Sequence, residues 1–199
     1  AGDAGGCIGA AYAVWHHELD NSRSFEMLHS YWGPSFSSDA IQSLLDGKSS
    51  EIDLAGCEIG FYQDDSVLCQ KTATAISQGK VIGWFQGRME WGPRALGNRS
   101  ILGDPRRSDM KDILNLKIKR RESFRPFAPS ILREATQDWF EINYDVPFML
   151  QVFQIKEEKR QHIPAVTHVN GSGRLQTVTE LQNPRYHKLI QAFESMTGV

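Results

Sequence analysis

Residues 80–105 read KVIGWFQGRMEWGPRALGNRSILGDP, and what this stretch forms decides the fold around it. KVIGWFQ (80–86) is a compact apolar run of strand length, the pattern of a buried strand. Gly92-Pro93 is a helix-start signal, since proline at the first helical position gives up an N–H that has no partner anyway. SILGDP then returns to an extended segment closed by Pro105. Between the two extended runs lie three arginines (Arg88, Arg94, Arg99), Glu90 and no lysine.

Working outward, helices and strands alternate. The chain opens with a glycine-rich turn entering a small-residue helix, and residues 18–37 are aromatic and irregular, the character of a loop. SSDAIQSLLDGK has Ser38 or Asp39 as N-cap and Gly47 as stop, whereas 49–63 carries no strong period. Residues 64–78 predict a helix with an acidic start, ended by Gly79. Downstream, 108–121 predicts a capped helix with a basic end, RPFAPSILRE a strand between two prolines, and ATQDWFE a short helix. PFMLQVFQI (147–155) is the clearest strand pattern, and HVNGSGRLQTVTE (168–180) joins a glycine turn to alternating β-formers. NPRYHKLIQAFESMTG (183–198) predicts a helix with Leu189, Ile190 and Phe193 on its buried side. The order points to an α/β or α+β fold with a mixed sheet.

At 199 residues the chain can bury roughly 70% of its unfolded surface, so it needs no disulfide or metal staple. No apolar run approaches the ~18 residues of a membrane span, and no signal-peptide pattern is present. Cys7, Cys57 and Cys69 show no CxxC pairing and read as reduced thiols, which places the protein in the cytoplasm. His16 and His17 are adjacent, so on a helix they diverge and make no chelate.

The net charge of −2 hides an asymmetry. Residues 1–65 contain two basic and eleven acidic residues, and residues 88–125 contain eleven basic and five acidic ones. Such a basic segment implies an anionic partner. Arginine's planar fork grips two oxygens and keeps its charge when desolvated. Arg94, placed in the first turn of a helix from Gly92-Pro93, would be tolerated if an anion lay between it and the free N–H groups. Three readings stay open at this level. The cluster binds a small anion; or Glu90 pairs with Arg88 or Arg94 structurally; or KIKRRESFRPF, with basic residues interleaved by phenylalanines, binds nucleic acid. The acidic remainder of the chain argues against a long polyanion, and neither GxxxxGK[ST] nor GxGxxG occurs.

GRMEWGPRALGNRSILGDPR, KIKRRESFRPFAPSIL and HVNGSGRLQTV, in that order, resemble the NodU/CmcH family of O-carbamoyltransferases across most of residues 80–198. The resemblance implies a YrdC-like twisted mixed β-sheet with flanking helices over residues 64–199. Residues 1–63 would be the tail of an N-terminal actin-like ATPase-type domain plus a connecting segment. It implies a unit that makes carbamoyl-adenylate from carbamoyl phosphate and ATP, with magnesium, for transfer to a hydroxyl of a nodulation factor, antibiotic or other sugar-containing acceptor. By motif, Arg94, Lys119, Arg125 and Arg174 are the implied catalytic residues, and Met149 and His168 join them in lining the substrate pocket.

GDAGG is similar to the segment closing the family's N-terminal domain, which makes Asp3 a metal ligand and Gly5 and Gly6 nucleotide-binding backbone in the full-length protein. The histidines that complete that iron site belong to a segment outside this sequence, so Asp3 is an orphan here. Two departures stand out: the family's NTSFN segment does not follow Thr197-Gly198, and HVNGS stands where the family has HVDGT. Asn170 keeps the hydrogen bonding but not the charge. The expected partners are small-molecule substrates and the N-terminal domain, not a membrane. A fragment of this kind is expected to be inactive alone and, through an exposed strand edge, to favour homodimers. The alternative is an RNA-binding YrdC-like module without catalysis of its own.

Overall fold

A computed structural model describes residues 4–199. The chain is α+β, with parallel and antiparallel strand pairs between helices. Strand β1 (Ile82–Phe85) pairs antiparallel with β2 (Arg99–Leu102), so that Phe85 faces Arg99. Strand β3 (Ser130–Leu132) pairs parallel with β6 (Gln176–Val178), and β4 (Val152–Gln154) antiparallel with β5 (Ser172–Arg174). The apolar run at 80–86 thus forms the expected strand, and the extended return at 100–105 begins as its partner.

The helices α1 (Gly5–Ala13), α2 (Ser38–Gly47) and α3 (Ser49–Leu54) contain no buried residue. Two longer helices make the main core. Helix α4 (Asp65–Ser77) starts where Asp64 accepts from the Ser66 N–H, and α7 (Pro184–Thr197) where Asn183 accepts from Tyr186. Cys69, Ala73 and Ile76 share one face of α4, at i, i+4 and i+7, and meet Tyr186, Leu189 and Phe193 of α7, with Trp84 of β1 and Val178 of β6 closing the cluster. A second cluster joins Leu132, Trp139, Phe140, Ile155 and Leu175, and includes α6 (Thr136–Trp139). A third is centred on Met110 and Leu114, where α5 (Met110–Asp112) runs on into wide π-type turns over Ile113–Ile118.

Several expected elements differ. No helix starts at Gly92-Pro93; residues 91–98 form a loop. Gly92 and Gly97 take φ of 106° and 108°, outside helical space, and the Glu90 carboxylate binds N–H groups that a helix would have directed to carbonyls. The strand over 147–155 shrinks to 152–154 because Met149 adopts φ of 53°. The strand expected in RPFAPSILRE is confined to 130–132, after the second proline, since Pro126 and Pro129 have no N–H for a ladder. The helix expected to 121 ends near Ile118, and Arg120 takes φ of 48°. Residues 168–180 hold the expected glycine turn and β-formers, as two strands: fully buried Leu175 separates β5 from β6, which pair with different partners. The unreadable 49–63 holds a short helix, α3.

Gly97 is where backbone and packing are tied most tightly. A Cβ there would collide with the ring of buried Tyr186, whose phenol burial pushes up to about 12. Gly97→Ala is expected to cost about 2–4 kcal/mol, from a strained positive φ plus overpacking. The check is the urea midpoint, which should fall with an unchanged slope.

Candidate functional site: a cluster of unpaired arginines

The loop between β1 and β2 is built from inside. Glu90 Oε1 accepts from the N–H groups of Leu96 (2.7 Å), Asn98 (2.9 Å) and Arg99 (3.2 Å). Gln86 Nε2 reaches Gly97 O, Asn98 Oδ1 and Asn183 Oδ1, and Leu96 O accepts from Gln176 Nε2 and Tyr31 OH. From outside, the irregular segment at 30–34 clamps the loop: Gly33 N–H donates to Met89 O, Met89 N–H to Pro34 O and Trp91 N–H to Ser30 O.

This frame divides the three arginines. Arg88 donates to Gly33 O and Trp32 O. Arg99 donates to Gln86 O, Asn98 O and Gly87 O and lies 3.6 Å over the Phe85 ring. Both serve as structural ties to carbonyls. Arg94 is different: its guanidinium finds no acceptor among the described residues, and its Nε is buried without a partner. Glu90 pairs with neither Arg88 nor Arg94, because its carboxylate is committed to the backbone.

Arg174, in β5 opposite Val152, repeats the anomaly with a buried, unpartnered Nε. Burial, then the charges of Arg94 and Arg121, hold its pKa below the usual arginine value. Three guanidinium groups from three parts of the chain therefore stand within Coulombic reach. Arg121 is aimed by fully buried Asn115, whose Oδ1 accepts from Arg121 Nε at 2.7 Å, and it lies over the Phe127 ring. Asn115 Nδ2 also binds Ser123 O and Arg125 O, so one amide fixes the whole basic loop. Asn115→Leu is expected to cost about 2–3 kcal/mol, for two carbonyls and a guanidinium left without partners. Thermal melting with and without phosphate checks it, and both stability and the phosphate-induced shift should fall.

His168 borders the same group. Its ring is held below the usual histidine range by burial, then by the Arg174 charge, and its Nε2 is buried and unpartnered. Asn170 does not point to the cluster through its side-chain oxygen, which accepts from Ser172 N and Oγ.

Arg94, Arg174 and His168 are thus gathered as the motifs imply, and Lys119 and Arg125 are not. Lys119 is exposed beyond Ile118, and Arg125 is exposed and paired with Glu122 at 2.9 Å. Met149 is buried in its left-handed turn beside Val146, which exchanges hydrogen bonds with Thr177. Gly5 and Gly6 form the first turn of α1, and the neighbouring Ala4 carbonyl accepts from the Trp91 indole. Asp3 lies outside the described residues. The motifs do not point to Arg121; its signal in the sequence is Asn115, a lone amide inside the apolar run ILNLKI.

Like charges without counterions cost folding free energy, and a bound anion removes that cost. The arrangement suits a phosphate-bearing ligand gripped by forked guanidinium groups. It does not suit a divalent cation, since the gathered side chains offer no carboxylate. Among the described residues no group of three or more His, Cys, Asp or Glu side chains stands in metal-holding proximity. An apolar cavity of about 190 Å³ between β2, β3 and α7 is separate from the basic cluster. No helix among the described residues is long and apolar enough to cross a membrane.

Residues 73–199 match the family model described as Carbamoyltransferase C-terminus. The nodulation protein NolNO of Sinorhizobium fredii is 45% identical over 204 aligned positions, which take in 100% of this chain and 29% of that protein. An uncharacterized protein of Synechocystis is 45% identical over 99% of this chain and 35% of its own length. The 3'-hydroxymethylcephem-O-carbamoyltransferase of Amycolatopsis lactamdurans is 43% identical over 63% of this chain and 24% of its own. The chain spans about a third of the length of the curated relatives it matches most fully.

Proposed function

This chain belongs to the carbamoyltransferase family, in its C-terminal region, and on that premise we propose that its basic cluster takes carbamoyl phosphate and ATP and forms carbamoyl-adenylate. The observation that carries the proposal is the pair of guanidinium groups, Arg94 and Arg174, with buried Nε atoms and no protein acceptor. Water first cleaves carbamoyl phosphate to carbamate and inorganic phosphate. A carbamate oxygen then attacks the α-phosphorus of ATP, the bond from that phosphorus to the oxygen bridging to the β-phosphate breaks, and pyrophosphate leaves. Two anions must approach for this. Fixed cations that already repel one another in the free protein are relieved as negative charge builds up, which lowers the barrier. Arg121 joins Arg94 and Arg174 in that role, and Lys119 and Arg125 supply charge from the exposed edge of the loop. ATP brings its own magnesium.

The acceptor hydroxyl oxygen then attacks the carbamoyl carbon, the bond to the adenylate oxygen breaks, and AMP and the hydroxyl proton leave. The relative named as a 3'-hydroxymethylcephem-O-carbamoyltransferase supports a hydroxylated acceptor. Carbamoyl phosphate-dependent ATP–pyrophosphate exchange tests the reaction in the protein at the relatives' length. Arg94→Ala and Arg174→Ala should each reduce exchange roughly 10²–10³-fold, and Lys119→Ala by far less. Undiminished exchange in both arginine variants would remove the site assignment.

The second reading, an RNA-binding surface, draws on Phe124, which is 75% exposed amid Lys119, Arg120 and Arg125. Filter retention of RNA that falls steeply with salt would favour it. A thermal shift specific to nucleotide favours the enzyme.

A further inference from the structure

The tautomer of His168 is legible from its neighbours. Asn170 Oδ1 lies 3.2 Å from Ser172 N and 2.6 Å from Ser172 Oγ. A backbone N–H can only donate, so that atom of Asn170 is the amide oxygen, and the Ser172 hydroxyl gives it its one proton. Ser172 Oγ therefore meets His168 Nδ1, 3.1 Å away, with a lone pair, and Nδ1 carries the hydrogen. In a neutral imidazole the opposite nitrogen is then an acceptor. The ring is neutral near pH 7, since burial and the adjacent Arg174 both disfavour its cation.

His168 Nε2 is thus a buried, unpartnered acceptor beside a cluster whose other members only donate. Phosphate oxygens, themselves acceptors, cannot satisfy it. A ligand for this cluster must carry an N–H or O–H donor next to its anionic end. Resting on the carbamoyl phosphate reading above, we propose that His168 Nε2 accepts a hydrogen bond from the carbamoyl –NH2 and so selects carbamoyl phosphate over acyl phosphates of the same shape. Acetyl phosphate is the diagnostic competitor, because it keeps the phosphate and the carbonyl and replaces only the amino group by a methyl. The guanidinium groups grip both ligands alike, and the methyl leaves the histidine lone pair buried and unmet. A buried acceptor left without its partner supports discrimination of roughly 10–100-fold.

The test is calorimetric titration of carbamoyl phosphate and acetyl phosphate into the wild-type chain and His168→Phe, which removes the lone pair at similar volume. The wild type should prefer carbamoyl phosphate by the factor above, and His168→Phe should bind both about equally. His168→Gln can set an amide oxygen near the Nε2 position and should recover part of the preference. Equal binding of the two ligands by the wild type, or a preference that survives in His168→Phe, overturns the proposal and leaves the functional reading standing. Binding of neither ligand by the wild type overturns the functional reading, and the proposal with it. Imidazole nitrogen-15 spectra of the wild type give an independent readout that needs no variant to fold. They should show the hydrogen on Nδ1 of His168; a hydrogen on Nε2 overturns the proposal whatever the titrations give.

Discussion

Arg174→Leu is expected to lose ligand-induced stabilisation and roughly 10²–10³-fold in exchange activity, while the free protein melts no lower than the wild type. The two effects have one cause. Arg174 carries its charge partly buried, beside Arg94 and Arg121, with no acceptor for Nε. Folding is opposed by that arrangement, so an apolar side chain at this position relieves repulsion and desolvation together. The same repulsion binds an anion, and its removal takes the binding away. Most substitutions lower stability; one that abolishes function and leaves or raises the melting temperature marks a site where stability is given up for function. A melting curve with and without phosphate reads both halves. A large loss of stability in Arg174→Leu would mean that the guanidinium is a structural tie of the kind Arg88 and Arg99 make.

Glu90→Ala is expected to have the opposite signature, a loss of about 3–5 kcal/mol, because three N–H groups lose a charged acceptor at once. Against a total stability of about 5–15 kcal/mol, that would leave much of the protein unfolded under mild denaturing conditions. Glu90→Gln retains one neutral acceptor oxygen and should fall between the two. Hydrogen exchange localises the effect: the amides of Leu96, Asn98 and Arg99 should lose protection in Glu90→Gln before the amides of α4 and α7 do. If those three amides stay protected, Glu90 is not what holds the loop. Its importance reaches the site because Arg94 stands within the turn that these bonds shape.

The legible parts of the fold were those fixed by local chemistry. Helix α4 is bracketed by Asp64 and Gly79, and α7 by Asn183-Pro184 and Gly198, and both formed within a residue or two of their signals. Where a distant or unusual partner decides, the local pattern misled. Gly92-Pro93 invites a helix, but the Glu90 carboxylate and two glycines at positive φ draw the backbone into a loop. PFMLQVFQI has the composition of a long strand, but Met149 turns left-handed within it. At the site, the motifs single out Arg94 and Arg174 from a crowd of basic residues, and the structure brings both to one place with His168. Choosing among Lys117, Lys119, Arg120, Arg121 and Arg125 was beyond composition alone. The selection is made by Asn115, whose single side chain fixes the path of the loop and aims Arg121 inward.

The central claim is that unpaired guanidinium groups on separate elements form one anion pocket. Titration of carbamoyl phosphate into the wild type, Arg94→Ala, Arg174→Ala and Arg107→Ala tests it most directly, Arg107 being an exposed arginine already paired with Asp109. One binding site is expected in the wild type and in Arg107→Ala, with affinity reduced at least about tenfold in each of the other two, the loss of a charge-assisted hydrogen bond. Equal affinity in all four proteins would contradict that claim.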